Sequence, residues 1–471
     1  MQTFLNERVM ERDELEIMAP AGNFECLQAA VQGGADAVYF GIGHLNMRSR
    51  SANNFRPEDL PEIVRICRDA GARTYMTLNI TLYGEDLQPM REALEAAKAA
   101  GVDAIIASDM AAIVYCRQIG LEVHISTQLS ISNIESLRFY AQFADVVVLA
   151  RELNLDQVRA IHEAIVQEGI TGPSGSLVRI EMFAHGALCM AVSGKCYLSL
   201  QTCGHSANRG DCFQICRRGY DVTDRETGAQ LQVDNPYIMS PKDLCTIEFL
   251  DKIVAAGVRV FKIEGRARSA EYVRRTAECY RRAADAVCDG TYSPSLAAAL
   301  KARLAEVFNR GFWDGWYQGA PLGEWSDVYG SRATRRKEYV GKITNWFDRV
   351  GVAEITLASG SIAVGDDLLV IGATTGVFEL NVSEIRIDLR PAPRAVKGEV
   401  CSIPIHRSAE TPCGEVPHPA GTSGHSGLSG HSQPFPGHSG QAQRAVEPFE
   451  RPVRRGDKVY RWVENEPSVH L

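Results

Sequence analysis

The sequence predicts an α/β protein: a (β/α)8 barrel of the TIM type with a cysteine-rich insertion, followed by a small antiparallel β-barrel. Three observations predict it. Short apolar, β-branched runs alternate with amphipathic, helix-length segments from residue 15 to about residue 290, the pattern of a parallel sheet covered by helices. Eight such runs fit a closed barrel better than an open, doubly wound sheet. Beyond residue 335 the period changes to short alternating strands separated by Gly and Asp turns, the pattern of a small antiparallel barrel. At 471 residues, 45% of them hydrophobic, the chain is long enough for both cores.

The strand candidates, in order, are LEIMA (15–19), AVYFG (37–41), TYMTLN (74–79), AIIAS (104–108), LEVHIS (121–126), DVVVLA (145–150), VRIEMFAHG (178–186) and VRVFKIEG (258–265). Segments such as 23–34 and 86–101 supply the helices between them. A barrel of this kind carries its chemistry at the C-terminal ends of its strands. Those ends read Asn23, Gly41 to Arg50, Asn79, Asp109, Ser126-Thr127-Gln128, Arg151-Glu152, His185 and Glu264-Gly265-Arg266. Each residue alone suits a helix cap or a loop hydrogen bond. As a set they read as a site, with Asn79, Gln128, His185 and Glu264 as candidates for catalysis.

Residues 187–245 form an insertion between strands seven and eight, on the same face. Five of the thirteen cysteines fall within it between Cys189 and Cys216. The N-terminus is charged and lacks the apolar core of a signal peptide. A disulfide framework is therefore not expected. Cys26, Cys67, Cys116 and Cys279 lie in helix-like stretches and read as small buried hydrophobes. Six residues separate Cys189 from Cys196, fifteen separate Cys196 from Cys212, and three separate Cys212 from Cys216. Four thiolates can hold zinc or an iron–sulfur cluster. The two-residue knuckle spacing of structural zinc sites is missing, which favours the cluster. Cys203 and Cys245 compete for a place in the set, and a nucleophilic cysteine with His185 as base is a third reading.

The C-terminal strands fall at 339–347, 350–358, 368–372, 378–387, 397–405 and 455–463. The domain boundaries this gives are 1–335 for the barrel and 336–406 plus 450–465 for the β unit. Residues 407–449 are a disordered insert in this reading, because near-repeats of Gly-His-Ser without large hydrophobes cannot build a core.

The net charge of −8 does not suggest a nucleic-acid binder in bulk. Local basic runs do: Lys262 to Arg282, 332-RATRRK-337, and Arg217 with Arg218. A solvated helix face and a linker explain the same runs. No apolar run reaches the ~20 residues a membrane span needs, so a soluble, cytoplasmic protein without membrane contact is expected.

Several separated motifs then carry a resemblance. They are APAGNFECLQAAVQGGADAVYFG (19–41), the segment containing Arg48, FAHGALCMAVSGKCYLS (183–199), ANRGDCFQICRRGY (207–220), MSPKDL (239–244) and KIEGRARS (262–269). Over roughly residues 15–350 the chain resembles the peptidase U32 family. With its small C-terminal β-barrel it looks most like the prephenate-dependent tRNA uridine 5-hydroxylase branch. The resemblance implies hydroxylation of the wobble uridine of tRNA. It also implies a [4Fe–4S] cluster, supplied by the iron–sulfur assembly machinery, on Cys189, Cys196, Cys212 and Cys216. Relatives hydroxylate a ribosomal RNA cytidine or act in oxygen-independent ubiquinone synthesis. Arg48, Arg266, Arg268 and Lys262 are the candidates for holding a dicarboxylate co-substrate such as prephenate, since guanidinium–carboxylate pairs are strong and directional. The C-terminal barrel and 332-RATRRK-337 are the expected RNA-docking surface. A collagenase-like peptidase and a non-enzymatic cluster-bearing scaffold are the competing classes. Neither a Gly-x-Ser-x-Gly elbow nor a His-Glu-x-x-His motif occurs in the chain.

Overall fold

The computed structural model describes residues 10–50, 54–192, 195–231, 235–319, 322–328, 330–405 and 452–465. The predicted insert at 407–449 lies outside the described residues. Seven strands follow one another as parallel neighbours: β1 (Glu16–Ala21), β2 (Ala37–Gly41), β3 (Arg73–Leu78), β4 (Ala104–Ala107), β5 (Glu122–Ile125), β6 (Val146–Val148) and β7 (Arg179–Ala187). The chain then leaves the barrel, makes the short ribbon β8 (Val222–Thr223) and β9 (Gln230–Leu231), and returns as β10 (Asp243–Cys245). The eighth barrel strand, β11 (Val258–Ile263), pairs in parallel with both β1 and β7 and closes the ring.

Between the strands lie α1 (Phe24–Gln32), α2 (Leu60–Asp69), α3 (Leu87–Ala100), α4 (Met110–Ile119), α5 (Ile134–Ala141) and α6 (Leu155–Glu168). The insertion carries the short α7 (Leu198–Cys203), and α8 (Leu250–Ala255) and α9 (Ala270–Cys288) flank β11. Then α10 (Pro294–Ala305) leads to β12 (Phe312–Trp313), which pairs with β10. Local chemistry fixes where helices start. Asn23, Asp109, Asn133 and Asn154 stand at N-caps, and each side chain accepts a hydrogen bond from the first turn. Asn23 and Asp109, which the sequence placed in the polar ring, are thus helix caps.

Alternation along the strands sorts two environments. Outward residues join the main core against the helices. Inward residues Met18, Tyr39, Tyr75, Ile106, Val146 and Val260 make an apolar layer across the barrel. Charge lies on both sides of it. Below, the Glu16 carboxylate accepts from Tyr75 Oη at 2.7 Å and from Arg179 at 3.1 Å, with Arg73 also bound. Above, Lys262 Nζ donates to Glu181 at 2.7 Å, both side chains buried. Lys262 is therefore committed to an ion pair inside the barrel, and its suggested role towards a dicarboxylate is replaced by a structural one.

The C-terminal unit comprises β13 (Arg335–Phe347), β14 (Val352–Leu357), β15 (Ser361–Ala363), β16 (Asp367–Gly372), β17 (Gly376–Asn381), β18 (Ile385–Ile387), β19 (Arg390–Ala392), β20 (Arg394–Val396), β21 (Val400–Pro404) and β22 (Lys458–Glu464). Eight of these form one antiparallel sheet in the order β17-β16-β22-β13-β14-β21-β18-β19, and β15 pairs with β20. The unit has its own core around Val340, Ile355, Leu368, Val370 and Ile403. Other residues of it, Leu369, Ile371, Val377 and Trp462, belong to the core of the barrel. Gln32 of α1 ties the two units: its Nε2 donates to Thr375 O at 2.8 Å and its Oε1 accepts from Val377 N at 2.9 Å. Arg274 donates to Val377 O at 2.8 Å, and Arg275 stands between Glu379 (3.2 Å) and Glu306 (3.3 Å). The basic stretch of α9 is thus in part an interdomain seam. Among the described residues no helix is long and apolar enough to cross a membrane.

Candidate functional site

A cavity of about 230 Å3 opens at the C-terminal ends of the strands, under the cysteine insertion. The insertion is clamped there by its own ends. Residues 243–245 of β10 run antiparallel to residues 185–187 of β7, so the chain departs and returns side by side. Cys189, Cys196, Cys212 and Cys216 all line the cavity. Cys203 ends α7 outside the lining, and Cys245 is buried in β10 beside Tyr280. Gln214, between Cys212 and Cys216, adopts the left-handed region (φ 51°), which turns the short loop so that both thiols face inward.

Burial raises the pKa of Cys216, Arg217 opposes the rise, and neighbouring Cys189, Cys212 and Cys196 add to it. Arg151 approaches the Cys189 sulfur at 3.7 Å and lies over Phe183. Among the described residues, no three His, Cys, Asp or Glu side chains stand close enough to chelate a single metal ion.

The rest of the lining is rich in cations and poor in acids. Arg48, Arg151, Arg217, Arg266, Arg268, Arg310 and Lys262 contribute, against Glu264 as the one carboxylate among the described lining residues; no His or Asp is present. Arg48 grips Glu264 through two nitrogens, at 2.5 and 3.1 Å. Burial alone would raise the Glu264 pKa, but the charge and hydrogen bonds of Arg48 outweigh it and the carboxyl is held low. Glu264 is accordingly an ionised anchor for Arg48. Arg268 stacks on Phe308 (3.7 Å) and faces Asp243 at 3.9 Å, which Arg310 also meets at 3.3 Å. Arg266 differs from these. Its Nη1 donates to Asn46 and Thr77, both at 2.8 Å and both neutral, and burial lowers its pKa to about 10. Gly41 makes the fit possible, since a Cβ there would lie 2.5 Å from Arg266 Nη1 and 2.6 Å from Asn46 Cγ.

His185 stands apart from the cavity. It is packed between Tyr272, Tyr280 and Phe312, and its Nδ1 lies 3.4 Å from Tyr280 Oη. Burial, and then the nearby Arg268 charge, lower its pKa to about 3. It is a neutral core residue and reaches no thiol of the lining. Asn79 and Gln128 do line the cavity. Arg310, Asn46, Asn208 and Tyr39 belong to the site's surroundings without having been singled out from the sequence. Tyr39 and Asn208 lie inside the quoted motifs 19–41 and 207–220 without standing out there, Asn46 fell in the polar stretch after β2, and Arg310 lies in none of these segments.

A sequence profile of peptidase family U32 matches residues 22–327. The chain belongs to peptidase family U32. Within the family it is 58% identical over 396 residues to a protein of Porphyromonas gingivalis named collagenase, covering 84% of this chain and 96% of that one. It is 35% identical over 354 residues to tRNA hydroxylation protein P1 of Bacillus subtilis, covering 74% and 81%. A third relative, the 23S rRNA 5-hydroxycytidine synthase of Escherichia coli, is 38% identical over 295 residues, 62% of this chain and 42% of the relative. Members of the U32 family thus carry names from two different chemistries, so the site itself has to decide between them.

Proposed function

We propose that this U32 protein is an RNA-modifying enzyme that hydroxylates a pyrimidine at C5, with the wobble uridine of tRNA as substrate. The observation that carries the proposal is the convergence of Cys189, Cys196, Cys212 and Cys216 on one cation-rich cavity. The donor set suits a [4Fe–4S] cluster. Four thiolates brought together need a multiply charged core plus nearby cations. When bound, such a cluster supplies the one-electron chemistry that side chains lack.

The chain's own residues would do the rest. Arg151 and Arg217 offset the charge of the thiolates. Arg266, which donates to the neutral Asn46 and Thr77, is the best placed to receive a carboxylate of a co-substrate such as prephenate, with the Arg48–Glu264 pair beside it. The closed barrel below and the insertion above bound the cavity on two sides. The relatives named for tRNA and rRNA hydroxylation support the RNA substrate.

The test is nucleoside mass spectrometry of tRNA from cells lacking this gene, complemented with wild type or with Cys189→Ala/Cys196→Ala. Nucleosides derived from 5-hydroxyuridine should return with wild type alone. Their presence without the gene would overturn the proposal.

A peptidase is the second reading, favoured by the name of the 58% identical relative. The cavity offers little for it. Ser126 Oγ accepts from Gln128 N at 3.4 Å, and no histidine lines the described wall. Cleavage of denatured collagen by the purified metal-free protein, abolished by Ser126→Ala or Cys189→Ala, would establish this reading instead.

A further inference from the structure

We propose that Arg151 is a positioning residue for the four-cysteine centre, and that its hydrogen bond to Cys189 Sγ raises the reduction potential of the cluster held there. The inference rests on the cluster reading above and adds to it the residue that governs electron uptake.

The lining cations are not equivalent. Arg48 is given to Glu264, Lys262 to Glu181, and Arg268 and Arg310 to Asp243. Arg266 donates to Asn46 and Thr77. Arg217 spends its nitrogens on oxygens at the two ends of the insertion: Leu188 O at 2.6 Å, Ser240 Oγ at 3.0 Å and Pro241 O. Among the described contacts, Arg151 is the lining cation that donates to a sulfur, with its Nη2 3.7 Å from Cys189 Sγ.

Three features hold this contact. Arg151 follows β6, where Ala150 N donates to Ile131 O at 2.8 Å and fixes the backbone. Its Nη1 donates to Ala187 O at 3.4 Å, on the segment that pairs with β10 and clamps the insertion. Its guanidinium carbon lies 4.7 Å from the centre of the Phe183 ring, and a guanidinium stacked on a ring keeps its N–H groups for partners in its own plane. The fork thus spans from the end of β7 to the first cysteine of the insertion. Arg151 is only 8% exposed, whereas Cys189 is exposed and Cys196, Cys212 and Cys216 are half-buried. A shielded, fixed donor therefore serves the sulfur that water would otherwise solvate.

The electrostatic consequence has one sign. Reduction adds an electron to a centre that its thiolates already make negative. A cation beside one sulfur stabilises the reduced form more than the oxidised form, and an N–H donor to that sulfur draws charge the same way, so both raise the potential. Burial strengthens the effect, because water and salt screen a shielded charge less. Arg151 gains and loses no proton, since a guanidinium stays charged. The electron comes from an external reductant, and no covalent bond of Arg151 changes.

The experiment is a potentiometric titration with dithionite, read by electron paramagnetic resonance, on the anaerobically purified full-length protein. Wild type is compared with Arg151→Lys, Arg151→Gln and Arg151→Met, each assayed for iron and acid-labile sulfide. At equal iron content, Arg151→Met should lower the potential by about 59 mV or more, a tenfold change in the ratio of reduced to oxidised cluster for one electron. Arg151→Lys keeps the charge but loses the fork, and should fall between wild type and Arg151→Met. An unmoved potential in a cluster-bearing Arg151→Met or Arg151→Gln overturns the proposal. Iron lost from all three variants overturns it as well, because Arg151 would then serve assembly and not the potential. Either result, with iron and sulfide present in wild type, leaves the cluster reading standing. Wild type that holds no iron and sulfide removes the cluster reading, and this inference with it.

Discussion

At the scale of single residues, the cysteines divide by position. Four line the cavity and Cys203 and Cys245 do not. Under the cluster proposal, Cys216→Ala should lose bound iron and visible absorbance after anaerobic purification, and Cys203→Ala should keep both. Loss of iron in Cys203→Ala alone would reassign the set. Gly41 is constrained by contact instead. The Cβ of Gly41→Ala would press on Arg266 and Asn46, and overpacking of this sort costs about 1–3 kcal/mol. Urea unfolding should show that loss. His185 gives a pH signature. Its folded pKa is about 3, against roughly 6.5 unfolded. Between these values the unfolded chain binds a proton that the native state excludes. The stability that this group contributes is therefore full above about pH 6.5 and declines as pH falls towards 3. His185→Phe, which fits the aromatic surroundings, should lower the dependence of stability on pH between 7 and 5. An unchanged slope would show that other groups control it. His185 also marks a limit of reading sequence. A histidine at a strand end looks catalytic, and only its packing among Tyr272, Tyr280 and Phe312 reveals a core residue.

At the scale of elements, periodicity carried most of the information. All eight barrel strands were legible, because a buried parallel strand must be apolar along its whole length and has turns at both ends. Their bounds shifted by only a few residues. The closure of β11 on β7 and β1 was legible only as a count. The site was legible in part. The cysteines, Asn79, Gln128, Arg48 and Arg266 stood out as polar residues where a barrel places chemistry, but Lys262 was not separable from them. Its neighbour Glu181 is far away in sequence, and nothing local announces a buried ion pair. The same blindness affected the basic runs. Within 332-RATRRK-337, Arg335 meets Asp367 at 2.9 Å, Arg336 meets Glu338 at 2.8 Å and Lys337 meets Glu271 at 2.8 Å. These three cations carry acidic partners within the protein, Arg336 while still well exposed, which the sequence alone could not show. On α9, Arg275 joins Glu306 and Glu379 across the seam. Removing a largely buried partner of two carboxylates leaves them uncompensated. Because both carboxylates are partly exposed, Arg275→Ala should cost about 2 kcal/mol, below the usual range for fully buried pairs. Chemical denaturation measures it.

At the scale of the whole molecule, the barrel and the β unit share core residues and cannot be treated as independent modules. Deleting residues 336–471 would uncover the faces of α1 and α9 that meet Leu369, Ile371, Val377 and Trp462. The truncated barrel should therefore be less stable and prone to self-association, as seen by a lower Tm and by size-exclusion chromatography. A monomer with the wild-type Tm would contradict the shared core. One more consequence follows from the place of β22, which lies between β16 and β13 in the middle of the sheet. A growing chain completes β13 to β21 first, and more than fifty residues separate Pro404 from Lys458. At roughly 5–20 residues per second on the ribosome, that gap lasts several seconds. Throughout it, β13 and β16 wait as open edges with unpaired backbone groups. Nascent chains stalled in this window are where chaperones and proteases should find the protein most vulnerable.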